Sequence, residues 1–117
     1  MKFLKLLKKL RQFSTHPVHQ MSCVIADGNQ IVSAGYNKYK TSPRSNHKYK
    51  YIHAELCALL DNKFTDLKGC TAYIYREDRN GNMANARPCP TCLEALRLAK
   101  IKKICYSKDN KFIEEIL

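Results

Sequence analysis

The sequence predicts a three-layer α/β domain, a central mixed sheet of four to five strands with helices on both faces, and three observations carry that prediction. Strand-like stretches at 22–26, 30–34, 70–75 and 101–106 alternate along the chain with helix-like stretches at 2–13, 53–62 and 90–100. The first two strands are joined by Asp27-Gly28-Asn29, residues tolerant of the left-handed backbone that a tight hairpin needs. The last two are separated by a helix-sized segment, the spacing of a βαβ crossover. At 117 residues one compact core fits and a second hardly does, so residues 1–117 read as a single domain.

Each element has its own sequence logic. From Lys2 to Phe13 the apolar residues Phe3, Leu4, Leu6, Leu7, Leu10 and Phe13 recur mostly at three- and four-residue steps, with Lys and Arg between them. This is a basic amphipathic helix, read as the first helix of the domain, with attachment to a membrane surface as the rival reading. Ser14, Thr15 and Pro17 end it. Residues 35–51 form a long polar loop in which Lys38, Lys40, Arg44, Lys48 and Lys50 interleave with Tyr36, Tyr39, Tyr49 and Tyr51. Three readings of that loop stay open: a lid over a mononucleotide, a groove for a single strand of nucleic acid, and a solvated loop. Leu56, Leu59 and Leu60 give the helix at 53–62 its apolar side, and Leu93, Leu96 and Ala99 do the same at 90–100. Residues 78–82 read as a turn, and 112–117 as a short terminal helix.

Composition narrows the function. With 21 Lys and Arg against 10 Asp and Glu, the net charge is +11, a field that speeds the approach of anything carrying phosphate, free nucleotide and polynucleotide alike. A neutral apolar ligand fits it poorly. No apolar run approaches the roughly 20 residues of a membrane span, and Lys interrupts the first twelve residues too often for a secretory signal. A soluble cytoplasmic protein is therefore expected, and in a reducing compartment its six Cys are first read as metal ligands or buried thiols.

In an open α/β sheet the helix N-termini emerge at the edge where ligands bind. Here the second helix opens with His53-Ala54-Glu55 and the third with Pro88-Cys89-Pro90-Thr91-Cys92. Cys89 and Cys92, three apart, share one side of a first turn, and Pro90 sits where its missing N–H costs nothing. A helix N-terminus favours thiolates. One imidazole and two thiolates suit Zn²⁺ with a fourth position open to water, and Glu55 is near enough to act as the base for that water. Cys23, Cys57, Cys70 and Cys105 occur singly, so no second C-x-x-C completes a four-Cys structural site, and they read as buried thiols. His16, His19 and His47 have no partner at ligand spacing.

The H-x-E…P-C-x-x-C arrangement is the signature of zinc-dependent nucleobase deaminases. In these residues, in the hairpin at 22–34, in Gly35-Tyr36-Asn37 and in the strand ending at Tyr106, the chain resembles the cytidine and deoxycytidylate deaminase superfamily over most of its length. Residues 37–43 and Arg87-Pro88-Cys89 look like small deaminases of phage genomes, which leaves a viral source open. A His as first ligand is similar to the deoxycytidylate, tRNA and polynucleotide branches. The resemblance implies a cytidine deaminase-like fold and zinc held by His53, Cys89 and Cys92, with Glu55 as proton shuttle. It also implies Asn37 on the sugar, the Ala54 backbone N–H on the pyrimidine carbonyl, and Tyr106 stacking or facing a phosphate. The polar stretch 76–87 departs from the family in its length; Arg76, Arg79 and Arg87 there either grip phosphate or line a solvated loop.

The expected reaction is hydrolysis of cytosine to uracil with release of ammonia, on a deoxycytidine nucleotide such as dCMP. Single-stranded DNA or RNA cytidine, or tRNA adenosine, is the alternative substrate. A zinc-stabilised binding module without catalysis is the reading from another class, and Glu55 argues against it. Deaminases of this type are often oligomers, and that analogy leaves a homo-oligomer as an open reading; no membrane partner is expected.

Overall fold

The structure, a computed structural model, describes residues 3–13, 20–39, 51–52, 66–78 and 80–117. Along them run α1 (Leu4–Arg11), β1 (Gln20–Asp27), β2 (Gln30–Tyr36), β3 (Lys38–Tyr39), β4 (Tyr51–Ile52), β5 (Thr71–Glu77), α2 (Pro90–Leu98), β6 (Lys103–Lys108) and β7 (Lys111–Ile116). Five strands form one sheet in the order β2-β1-β5-β6-β7, and β3 pairs with β4 in a separate ribbon. Only β5 and β6 are parallel; β1 is antiparallel to both of its neighbours and β7 to β6. The helix expected at 53–62 lies outside the described residues.

Alternation along the strands gives the sheet two apolar faces. On one, Val24, Ala26 and Tyr75 meet Phe3 and Leu7 of the α1 segment, with Leu7 fully buried and the Phe3 ring edge-on to Tyr73 at 4.9 Å. On the other, Cys23, Ile25, Ala72, Ile74 and Ile104 pack against Leu93 and Leu96 of α2. Helices therefore cover both faces, as the sequence predicts. Polar ties lock α1 in place. The buried Ser22 hydroxyl donates to the Leu7 carbonyl at 2.7 Å. At the end of the helix Arg11 donates to Gln20 at 2.6 Å and pairs with Glu77 at 2.8 Å, while the Tyr75 hydroxyl donates to Glu77 at 2.6 Å. Burial, reinforced by that hydrogen bond, raises the Tyr75 hydroxyl well above the usual phenol range.

Turn chemistry sets where elements stop. Gly28 takes φ 60° in the two-residue loop between β1 and β2, a conformation glycine adopts without steric cost. Helix α2 ends at Leu98, short of the predicted Lys100, in a Schellman arrangement. The Ile101 N–H donates to the Leu96 carbonyl at 3.1 Å and the Lys100 N–H to Arg97 at 2.9 Å, with Lys100 at φ 64°.

The terminal helix expected at 112–117 is a strand instead. Asp109 and Asn110, at φ 50° and 61°, form a two-residue turn of the kind that matches the twist of a hairpin, and β7 folds back on β6. Phe112 then packs on the α1 side and Ile113 on the α2 side, a period of two that no helix gives.

Lys100→Gly relieves a left-handed conformation that costs an L-residue about 1 kcal/mol, partly offset by the greater freedom of an unfolded glycine. We expect a net gain of about 0.5 kcal/mol, read as a higher urea midpoint at unchanged slope. A lower midpoint would show that the Lys100 side chain contributes more than its backbone strain costs.

Candidate functional site

Parallel pairing of β5 and β6 places both of their C-terminal ends at one edge of the sheet. Antiparallel β1 begins at that edge, with Gln20 opposite Glu77 and Met21 opposite Arg76. Helix α2, running back between two parallel strands, begins there too. Asn37, just past β2, is anchored at the same place. Its backbone N–H donates to Met21 at 3.3 Å, and its side-chain oxygen accepts from the Met21 N–H at 3.0 Å. It is buried, and the bond fixes which end of its amide faces β1. Pairing of Lys38 with Ile52 brings the chain back beside Asn37 at the residue before His53. His53, Ala54 and Glu55 themselves lie outside the described residues, as do Cys57, His16, His19, His47, Arg79 and the loop at 40–50.

Cys89 is the N-cap of α2, half-buried and extended at ψ 164°, and Pro90 follows at the first helical position. Cys92, in the same first turn, is fully buried, and the Leu93 N–H donates to the Cys89 carbonyl at 2.9 Å. Neither is in a disulfide. The positive end of the helix dipole favours anionic donors there, and the first turn holds no acidic residue. This pair is suited to hold a thiolate-loving cation such as Zn²⁺. Among the described residues no third His, Cys, Asp or Glu completes a metal cluster with it. Cys23, Cys70 and Cys105 are buried in or against the sheet, and burial is the main cause that raises the thiols of Cys70 and Cys105 above their usual range.

The polar stretch leading to Cys89 is tied down along its length. The Asp78 carboxylate accepts from the Asn80 and Asn82 N–H groups, both at 2.9 Å, closing the predicted turn. Beyond it, Ala84 N–H donates to Arg76 at 2.9 Å and Ala86 N–H to Ser107 at 2.8 Å. The fully buried Ser107 hydroxyl donates to the Ala84 carbonyl at 2.8 Å and accepts from the Arg76 N–H at 3.0 Å, joining β5, β6 and this segment. Arg87 points to β7. Its Nε and Nη2 donate to the two carboxylate oxygens of Glu115 at 2.8 and 3.3 Å. Tyr106, only 5% exposed and part of the core, lies diagonally across from Glu115 on the neighbouring strand. Arg87 first, then Tyr106, holds the Glu115 carboxyl below its ordinary value.

The structure thus brings Asn37, Cys89, Cys92, Tyr106 and Arg87 to one sheet edge. Sequence reasoning missed Ser107 and Glu115. A two-residue turn at Asp109-Asn110 is the signal that would have set Glu115 across from Ile104, beside Tyr106.

Residues 1–108 match the family model described as the cytidine and deoxycytidylate deaminase zinc-binding region. A probable deoxycytidylate deaminase of Caenorhabditis elegans is 30% identical, over 94% of this chain and 57% of its own length. Two solved structures share the fold. The dCMP deaminase of cyanophage S-TIM5 in complex with dCMP and dUMP has a TM-score of 0.65 at 16% identity, covering 90% of this chain and 77% of that one. Cytidine deaminase from Burkholderia pseudomallei has a TM-score of 0.70 at 14% identity, covering 98% and 90%. The chain spans little more than half the length of the curated relatives it matches.

Brief alkylation of the folded, metal-free protein at pH 8, mapped by mass spectrometry, should label Cys89 ahead of Cys23, Cys70 and Cys105. Because folding raises the Cys70 and Cys105 thiols, the stability they contribute is full below the ordinary thiol pKa and is lost as pH rises through their folded values. Labelling of either as fast as Cys89 would contradict their burial.

Proposed function

Since the chain belongs to the cytidine and deoxycytidylate deaminase family, we propose that it is a zinc-dependent hydrolase that converts cytosine to uracil on a deoxycytidine nucleotide such as dCMP. The observation that carries this reading is the Cys89 and Cys92 pair opening α2 inside a family match that also spans His53 and Glu55. His53, Cys89 and Cys92 would hold Zn²⁺, which supplies Lewis-acid activation of water at neutral pH. Glu55 takes a proton from the attacking water, delivers it to the ring nitrogen beside C4, and assists the departure of the amine as ammonia. Water and cytosine thereby yield uracil and ammonia.

The buried Asn37 amide, oriented by Met21, is suited to hydrogen-bond the sugar, and the Ala54 N–H would meet the pyrimidine carbonyl. Tyr106 and Arg87 stand on the phosphate side of this reading. The Glu115 pair engages Nε and Nη2 of Arg87, and a guanidinium has five N–H donors, so donors remain for an anion. A second reading, deamination within single-stranded nucleic acid, is favoured by the net charge of +11.

Ammonia release from dCMP, dCTP, cytidine and a cytosine-containing oligonucleotide, assayed in parallel with zinc-loaded protein, separates the two. Turnover of mononucleotide alone supports salvage chemistry. Turnover of the oligonucleotide alone, with affinity falling steeply in salt, supports strand editing. Glu55→Gln should keep zinc and the fold while lowering kcat by about 100-fold or more; full activity in that variant would remove Glu55 from the mechanism.

A further inference from the structure

Glu115 lies on β7, far in sequence from the Cys pair, yet its carboxylate grips Arg87, two residues before Cys89. We propose that Glu115, acting through Arg87, is a positioning residue for the Cys89 and Cys92 pair. It sets the path of the backbone into the α2 N-terminus, and so the geometry that the two sulfurs offer a metal ion. The inference rests on the zinc reading of that pair.

The geometry is that of a brace. Between Ala84 and Pro88 the chain has no regular structure of its own, and it must cross from the ends of β5 and β6 to the start of α2. Hydrogen bonds hold its inner half from below: Ala84 to Arg76, Ala86 to Ser107, and the Ser107 hydroxyl to Ala84. Its outer half is held by the bidentate Arg87–Glu115 pair, a planar fork that fixes direction as well as distance. Asn85 completes it, accepting from the Arg87 N–H at 3.0 Å through its side chain and from Arg76 at 3.3 Å through its carbonyl. Pro88, buried, and Cys89 follow directly. Ligands held in place before binding lose less freedom when the metal arrives, which is why outer partners of a metal site influence its affinity. With side chains 47% and 35% exposed, Arg87 and Glu115 form a pair that adds little to global stability, so its variants fold.

The test measures Zn²⁺ affinity by chelator competition on folded wild type, Arg87→Gln, Glu115→Gln and the double variant, with the thiolate-to-metal band of the Co²⁺ form as a second readout. Arg87→Gln removes a positive charge near the metal donors, so a purely electrostatic effect would tighten cation binding. Positioning predicts the opposite: each single variant binds roughly 10-fold more weakly, its Co²⁺ band shifts, and the double variant is no worse than either single one because both remove the same brace. Tighter or unchanged binding in Arg87→Gln, or additive losses in the double variant, overturns the proposal. Wild type that binds no zinc overturns the zinc reading itself.

Discussion

The parallel pairing of β5 with β6 is the constraint from which the candidate site follows. Two adjacent parallel strands cannot be joined by a turn, and the chain must cross back over the sheet before the second begins. Here the crossover is the segment from Asp78 to Lys102, with α2 as its rigid part. The crossover returns the start of α2 to the edge where β5 and β6 end, and antiparallel β1 begins at the same edge. Asn37, Cys89 and Tyr106, far apart in sequence, thereby lie toward one end of the sheet. A one-residue slip of β5 against either neighbour would exchange its two faces, putting Tyr75 where Ile74 packs, so burial on both sides enforces the register.

Irregular backbone near that edge is organised by few groups used more than once. Ser107 binds Arg76, Ala84 and Ala86 through its hydroxyl and carbonyl, and because it is fully buried each of those bonds replaces water that cannot enter. Asn110 does the same nearby: its backbone and side chain exchange bonds with Met83 at 3.1 and 2.9 Å. The turn that creates β7 thus also holds the segment approaching Cys89. A long loop between strand and helix becomes ordered because the C-terminal hairpin supplies partners for its backbone.

Charge is distributed by role. Arg11 is drawn into the buried network with Glu77 and Tyr75, and Arg87 into the pair with Glu115, while Lys5, Lys8 and Lys9 stay on the exposed side of α1. The most buried apolar residues of the α1 segment, Phe3 and Leu7, face the sheet, so the rival reading of this helix as a membrane-surface element loses the apolar stripe it needs. Among the described residues no helix is long and apolar enough to cross a membrane.

By itself the sequence determined the layers, the first hairpin, the crossover and the Cys pair at a helix start, because each rests on short-range patterns: β-rich residues in 22–26, Gly28 in its turn, and Pro90 between Cys89 and Cys92. It misread 112–117, where Phe112, Ile113 and Ile116 fit a helical spacing as well as a strand, and only the left-handed Asp109 and Asn110 with pairing to β6 decide between them. The places of His53 and Glu55 rest on motif alone. Tertiary structure decided which partners Arg87 and Tyr106 take. Glu115 faces Tyr106 on the neighbouring strand β6 and reaches Arg87, in the segment before α2, from 28 residues away in the chain, and contact at that distance depends on sheet order, which local propensity does not encode.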